Sequence, residues 1–198
     1  SVGRLHPKVF DTIHRLRAPK LRLSLPAELS ATQAEQLAQF PGAWLELESE
    51  GLSLPAARAL SGFQGGSMHL TLKSDPEAQA LSALSTVSGQ LIIDSRQPLE
   101  NHFVEQELLP LLKEFRGQQL VLGNIDELTE AMIAAALERD YRLEVNAKRI
   151  SVAGKALLPE LDRQWSGYIP DNWLCSERYA QFENGYCIEQ EEMMEEGD

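Results

Sequence analysis

Four histidines and two cysteines are the side chains that catalysis or metal binding would draw on first in this 198-residue chain. His6 and His14 stand two helical turns apart, which is not the i,i+4 spacing of a helical metal pair. His69 and His102 have no ligand-type partner near them in the sequence. Cys175 and Cys187 are spaced C-x11-C, matching neither a zinc site nor a CxxC redox pair. A Cys–His nucleophile pair would need a histidine beside one of these thiols in space, and no local motif brings one there. HExxH, an Asp/Asn-rich calcium loop, GxxxxGK[ST], GxGxxG and GxSxG are all absent. Glu46 and Glu48 could serve as a carboxylate pair, but two acids alternating on one strand equally describe a solvated face. No catalytic residue, metal or cofactor is expected.

The elements that would position these residues repeat along the chain. Short alternating strands recur at Leu21–Leu23, Leu45–Leu47, Leu70–Leu72, Leu91–Ile93, Leu120–Leu122 and Leu143–Val145. Their first residues are 24, 25, 21, 29 and 23 apart. Between them the pattern turns helical: "TQAEQLAQF", "PAARALSGF", "PEAQALSAL", "EQELLPLLKEF", "LTEAMIAAAL" and "GKALLPEL". Pro55 suits a first helical turn, and Asp75 with Pro76 reads as an N-cap and N1 pair. Gly42, Gly65, Gly89 and Gly117 stand where helices should end in left-handed C-caps. One strand and one helix in ~24 residues cannot bury a core alone, so the units must stack. Stacking predicts a parallel strand row on one side and helices on the other, with the leucines inward.

Four segments follow: a capping helix over 1–20, six strand–helix repeats over 21–165, an aromatic C-terminal cap over 166–188, and an acidic tail over 189–198 expected to be disordered. The cap segment, with the last repeat's end, concentrates two of three tryptophans and three of four tyrosines. Such aromatics serve either to cover an open last repeat or to meet a partner.

The net charge of −12 is unevenly placed: residues 171–198 hold nine acids and one base. An acidic chain without a basic run repels phosphate backbones, so no nucleic-acid partner is expected. The tail reads as a solubilising end, or as a docking strip for a basic partner. No apolar run approaches the ~20 residues that cross a bilayer, and SVGRLHPKVFDTIHRL has no signal-peptide core. No membrane association is expected. Two thiols in so long a chain fit a reducing compartment. The expected location is cytoplasmic, with export as an effector lacking a cleaved signal as the alternative.

"LEVNAKRISVAGKALLPEL" at 143–161 and "LELESEGLSLPAARAL" at 45–60 resemble the pattern LxLxxNxIxxxGxxALxxxL of leucine-rich repeats of the ribonuclease-inhibitor and GALA kind. Leu143, Val145, Ile150, Gly154, Ala156 and Leu157 occupy its positions, as do Leu45, Leu47, Leu52, Ala56 and Leu60. The family's asparagine is Glu50 in one unit and Lys148 in the other. The resemblance implies an α/β solenoid capped at both ends. A compact α/β sandwich with parallel strands is the alternative architecture.

It further implies a non-catalytic module that binds a protein partner through its exposed strand face. A bacterial effector, adaptor or immunity protein would fit, with a monomer favoured. Outward positions expected to touch the partner are Trp44, Glu46, Glu48, His69, Thr71, Ile92, Asp94, Arg142 and Glu144. The rival readings are an enzyme of another kind, with its site near Cys175 and Cys187, and the recognition part of a larger protein.

Overall fold

The computed structural model describes residues 7–97, 104–154, 156–157, 179–183 and 186–189. The chain is α/β, built on one six-stranded parallel sheet with strands in sequence order. The strands are β1 (Lys20–Ser24), β2 (Trp44–Ser49), β3 (Ser67–Leu72), β4 (Gln90–Ser95), β5 (Gln119–Leu128) and β6 (Arg142–Ile150). The sheet is open, with β1 and β6 at its edges. A separate antiparallel hairpin joins β7 (Tyr179–Glu183) to β8 (Tyr186–Glu189).

Parallel neighbours need a crossover, and each crossover here carries a helix or helical turn. These are α1 (Ala31–Ala38), α2 (Leu54–Leu60), a 3-10 helix (Ser82–Thr86), a π-turn (Val104–Leu108) running into α3 (Leu109–Glu114), and α4 (Glu130–Leu137). A parallel sheet covered on both faces would read as unbroken apolar runs. These strands alternate instead: Leu45, Leu47, Met68, Leu91 and Ile93 are at most 1% exposed, while their neighbours along the strand remain partly open. The inward leucines join Leu37, Ala56, Leu60, Leu84, Leu111 and Ile133 in one core, so every crossover packs on the same face. Each such side chain contributes about 2 kcal/mol by leaving water.

Strand register corrects the apparent repeat spacing. Leu45 pairs with Leu21, Met68 with Leu45, and Leu91 with Met68. Leu120 then pairs with Leu91, and Leu143 with Leu120. The third unit is therefore framed on Met68–Leu70 and not on Leu70–Leu72, which gives steps of 24, 23, 23, 29 and 23 residues. Methionine stands where the other units carry leucine.

Local chemistry sets the helix starts. Ser30 and Gln33 form a reciprocal capping box on α1, Ser53 accepts from the Ala56 N–H, and Thr129 accepts from the Met132 N–H. The α-helix expected after Asp75 and Pro76 is absent, and turns lead to the 3-10 helix instead. Gln79 adopts a left-handed φ of 64°, which no α-helix accommodates. Its N–H donates to the Glu107 carboxylate at 2.7 Å.

The glycines do not act as the expected left-handed caps; none of those described has such a φ. They permit close approach: a β-carbon on Gly89 would lie 2.2 Å from the Gly66 carbonyl oxygen, and one on Gly65 2.1 Å from the Phe63 ring.

Turns after the strands are tied to the preceding unit. The Ser49 hydroxyl shares its one proton between Gly51 O at 2.8 Å and Ala27 O at 3.3 Å, and Ser74 Oγ donates to Glu50 O. Asn124, at φ 54°, donates its amide to Ser95 O at 2.8 Å. Two serines and one asparagine thus satisfy backbone carbonyls at these turns.

At the N-terminal end a 3-10 helix (Pro7–Arg15) buries Phe10 and Ile13 beside α1, where a capping helix was expected. Residues 1–6 lie outside the described residues. So do most of the expected aromatic cap at 166–188 and nearly all of the tail at 189–198, apart from the hairpin backbone.

Candidate binding face

The in-register ladder aligns outward side chains from strand to strand. Across the sheet the first row runs Lys20, Trp44, Ser67, Gln90, Gln119, Arg142. The second runs Arg22, Glu46, His69, Ile92, Val121, Glu144. The third runs Ser24, Glu48, Thr71, Asp94. Trp44, Glu46, Glu48, His69, Thr71, Ile92 and Asp94 thus form one patch over β2 to β4. Arg142 and Glu144 sit apart on the edge strand β6, with Gln119 and Val121 of β5 between.

The first row is joined by hydrogen bonds at its centre. Ser67 Oγ donates to Gln90 Oε1 at 2.9 Å, and Gln90 Nε2 to Gln119 Oε1 at 3.0 Å. Gln119 Nε2 then donates to Glu144 Oε2 at 3.2 Å, linking the first row to the second.

The β1 end is an ion-pair network. Glu46 accepts from Lys20 at 2.7 Å and from Arg22 at 2.9 Å. Glu48 meets Arg96 and, at 3.8 Å, Lys73, which also pairs with Glu50 at 2.9 Å. The hydrogen bond from Lys20 holds Glu46 below its ordinary carboxylate range, against the opposing effect of burial, with help from Arg22. Glu48 is lowered first by a hydrogen bond from Ser24 and then by Arg96 and Lys73, again against burial. Lys20 Nζ also lies 5.0 Å from the centre of the Trp44 ring.

Depth differs between the two signs around Glu46, and between Arg96 and Glu48, but the order reverses at Lys73, which at 20% exposed lies deeper than Glu50 at 48%. The Lys20, Arg22 and Arg96 side chains are 52%, 75% and 61% exposed, against 15% for Glu46 and 24% for Glu48. The sequence places acids at this end of the face, but the Glu46 and Glu48 carboxylates lie beneath longer cationic side chains. At β1, where Lys20 and Arg22 overlie Glu46, the layer that meets solvent is cationic.

Sequence reasoning missed three further features. Trp44 Nε1 and His69 Nε2 are inaccessible and have no hydrogen-bond partner among the described residues. Glu107 on the π-turn is 4% exposed, and its Oε2 is likewise without a partner. An open groove of about 310 Å³ on the helix side is lined by Arg58, Gln79, Ser82, Ser85, Thr86 and Glu114, none of them predicted. These features depend on contacts between units, for which the sequence carries no local signal.

His14 is exposed and its Nε2 accepts from Arg15 at 3.2 Å. His6, His102, Cys175 and the Cys187 side chain lie outside the described residues. Among the described residues no three His, Cys, Asp or Glu side chains converge as metal ligands, and no helix is long and apolar enough to cross a membrane. Comparison with protein-family models, curated proteins and solved structures gives no match.

Proposed function

We propose that the chain is a protein-binding module of leucine-rich-repeat type, stacked as a solenoid and acting through the outward face of its sheet. Sequence-ordered parallel strands at steps of 23 or 24 residues, with one step of 29, support the stacking. The binding reading rests on one observation: the ladder brings mixed polar, aromatic and aliphatic side chains into adjacent rows on one sheet face that the helix layer leaves open. His69, Thr71, Ile92 and Asp94 form its centre, flanked by Trp44, Glu46 and Glu48 and, beyond β5, by Arg142 and Glu144. A protein surface is the occupant that such a broad face of mixed polar, aromatic and aliphatic side chains accommodates. An effector, adaptor or immunity role in a bacterial setting is the form of this activity that the family resemblance supports.

The test is affinity capture from native lysate with wild type, Thr71→Arg with Ile92→Glu on the face, and Arg58→Glu on the helix side. Circular dichroism and thermal unfolding establish that each bait is folded. A protein retained by wild type and Arg58→Glu but lost from the folded face variant is expected. Retention by all three, or equal loss from both variants, would overturn the face assignment.

A further inference from the structure

We propose that the outer edge of β1 docks an extended acidic segment of a partner protein, which joins the sheet as a further strand with acidic and apolar side chains in alternation. β1 ends the sheet and, among the described residues, pairs only with β2. Trp44 N–H donates to Pro19 O and Leu25 N–H to Glu48 O, so Pro19, Leu21, Leu23 and Leu25 turn their backbone groups toward β2. The N–H and C=O groups of Lys20, Arg22 and Ser24 therefore point away from the sheet, where an added strand would meet them.

The core side of this edge is also incomplete. Leu21 is half-buried where its β2 counterpart Leu45 is fully buried, and Leu23 is 8% exposed against 1% for Leu47. Apolar residues at alternate positions of an added strand would cover both.

Charge decides the other face of that strand. Between Asp11 and Glu28 the chain carries Arg15, Arg17, Lys20 and Arg22 with no acid, and all four are exposed. Glu46 offsets one of the two charges on β1. β2 already shows the chemistry that fits: Leu45, Glu46 and Leu47 lie along β1 with the leucines inward and the acid on both cations. A ligand strand on the opposite edge would repeat this. The net charge of −12 does not cancel the local sign, because exposed charges more than about 8 Å away are screened at physiological salt. A second copy of β1 fits poorly, since antiparallel pairing about Arg22 sets that side chain opposite its own counterpart. The edge is separate from the outward face proposed above and does not rest on it.

The probe is a synthetic peptide of valines alternating with glutamates. Its controls are the lysine-for-glutamate counterpart and a scrambled peptide with the glutamates adjacent, each titrated into the full-length chain with hydrogen exchange read by NMR. In the free protein the Lys20, Arg22 and Ser24 amides should exchange about tenfold faster than those of Leu23 and Leu25. The alternating acidic peptide should slow all three and bind about tenfold more tightly than either control. Lys20→Gln with Arg22→Gln, shown folded by circular dichroism, should weaken binding about fivefold, and the control peptides need no altered protein. Three amides already slow in the free protein would overturn the proposal, because the edge would be occupied; slowing that grows with protein concentration would assign it to a second copy. Equal binding of the acidic and scrambled peptides would reduce the edge to a charged surface. Absence of binding would leave the cations as a guard against strand pairing, and either result overturns the proposal.

Discussion

Glu77 reaches back one unit to accept the Leu54 N–H at 2.7 Å, closing the N-terminus of α2 from the following repeat. Leu54 is the first residue of α2, so its N–H has no partner within the helix. The same direction recurs where Glu107 accepts from Gln79 and where Ser151 Oγ accepts from the Glu130 N–H at the start of α4, at 3.2 Å. Repeats are therefore coupled through their polar groups as well as through the core.

Removing this reach should weaken one helix without emptying any core position. Glu77→Ala is expected to cost about 1 kcal/mol in urea unfolding, in line with the loss of other caps. Faster amide exchange at Leu54 should accompany it. An unchanged midpoint would show that water replaces the carboxylate at no cost.

Gly89 and Gly66 stand at the same place in neighbouring units and approach each other in space, but they make opposite predictions. A methyl group on Gly89 would meet the Gly66 carbonyl at 2.2 Å, so Gly89→Ala must push two units apart. A loss of about 2 kcal/mol or more is expected. A methyl group on Gly66 finds Ala43 O at 3.5 Å, an ordinary contact. Gly66→Ala should lie within about 0.5 kcal/mol of wild type. Equal thermal midpoints for the two variants would contradict the stacked-corner geometry.

The ion pairs at the β1 end set an acid dependence. Glu46 and Glu48 titrate below the ordinary 4.5 in the folded chain. A lowered folded pKa means the unfolded state binds more protons across that interval. The stabilisation is complete above the unfolded pKa and is lost as pH falls through the folded one. Urea midpoints of wild type and Glu46→Gln should differ most near neutrality and converge below the depressed pKa. A constant gap over that range would assign the difference to packing. Salt should narrow it at neutral pH, because Lys20 and Arg22 are largely solvent-exposed.

Met68 tests the register. It is fully buried opposite Leu45 and Leu91, so Met68→Ala is expected to cost about 2–5 kcal/mol. Met68→Leu, which conserves volume, should cost under about 1.5 kcal/mol. Thr71→Lys on the outward face should leave the fold intact. Unfolding by Thr71→Lys but not by Met68→Ala would exchange the two faces of β3.

Leucine alternation made β1, β2, β4, β5 and β6 readable, because alternate burial is a property of the strand itself. At β3 a methionine took the first inward place, and the reading slipped to Leu70–Leu72. A slip of two residues preserves the side of every side chain, so His69 and Thr71 were still assigned outward. Caps at Ser53 and Thr129 are local and fit the helices expected after them. Gln79 was not legible, because its conformation accompanies a carboxylate 28 residues downstream. Nor was the positive outer layer at β1, since sequence order does not tell which partner in an ion pair lies on top. Lys20 and Arg22 have longer side chains than Glu46 and extend past it into water.

The downstream caps also impose an order in time. Leu54, Gln79 and Glu130 each depend on a residue 23, 28 or 21 positions further along. On a ribosome, none of these three hydrogen bonds can form until the next unit has left the exit tunnel. Folding would then proceed as a travelling front that trails synthesis by about one repeat. A pause in translation would leave only the newest of these three N–H groups without its downstream partner.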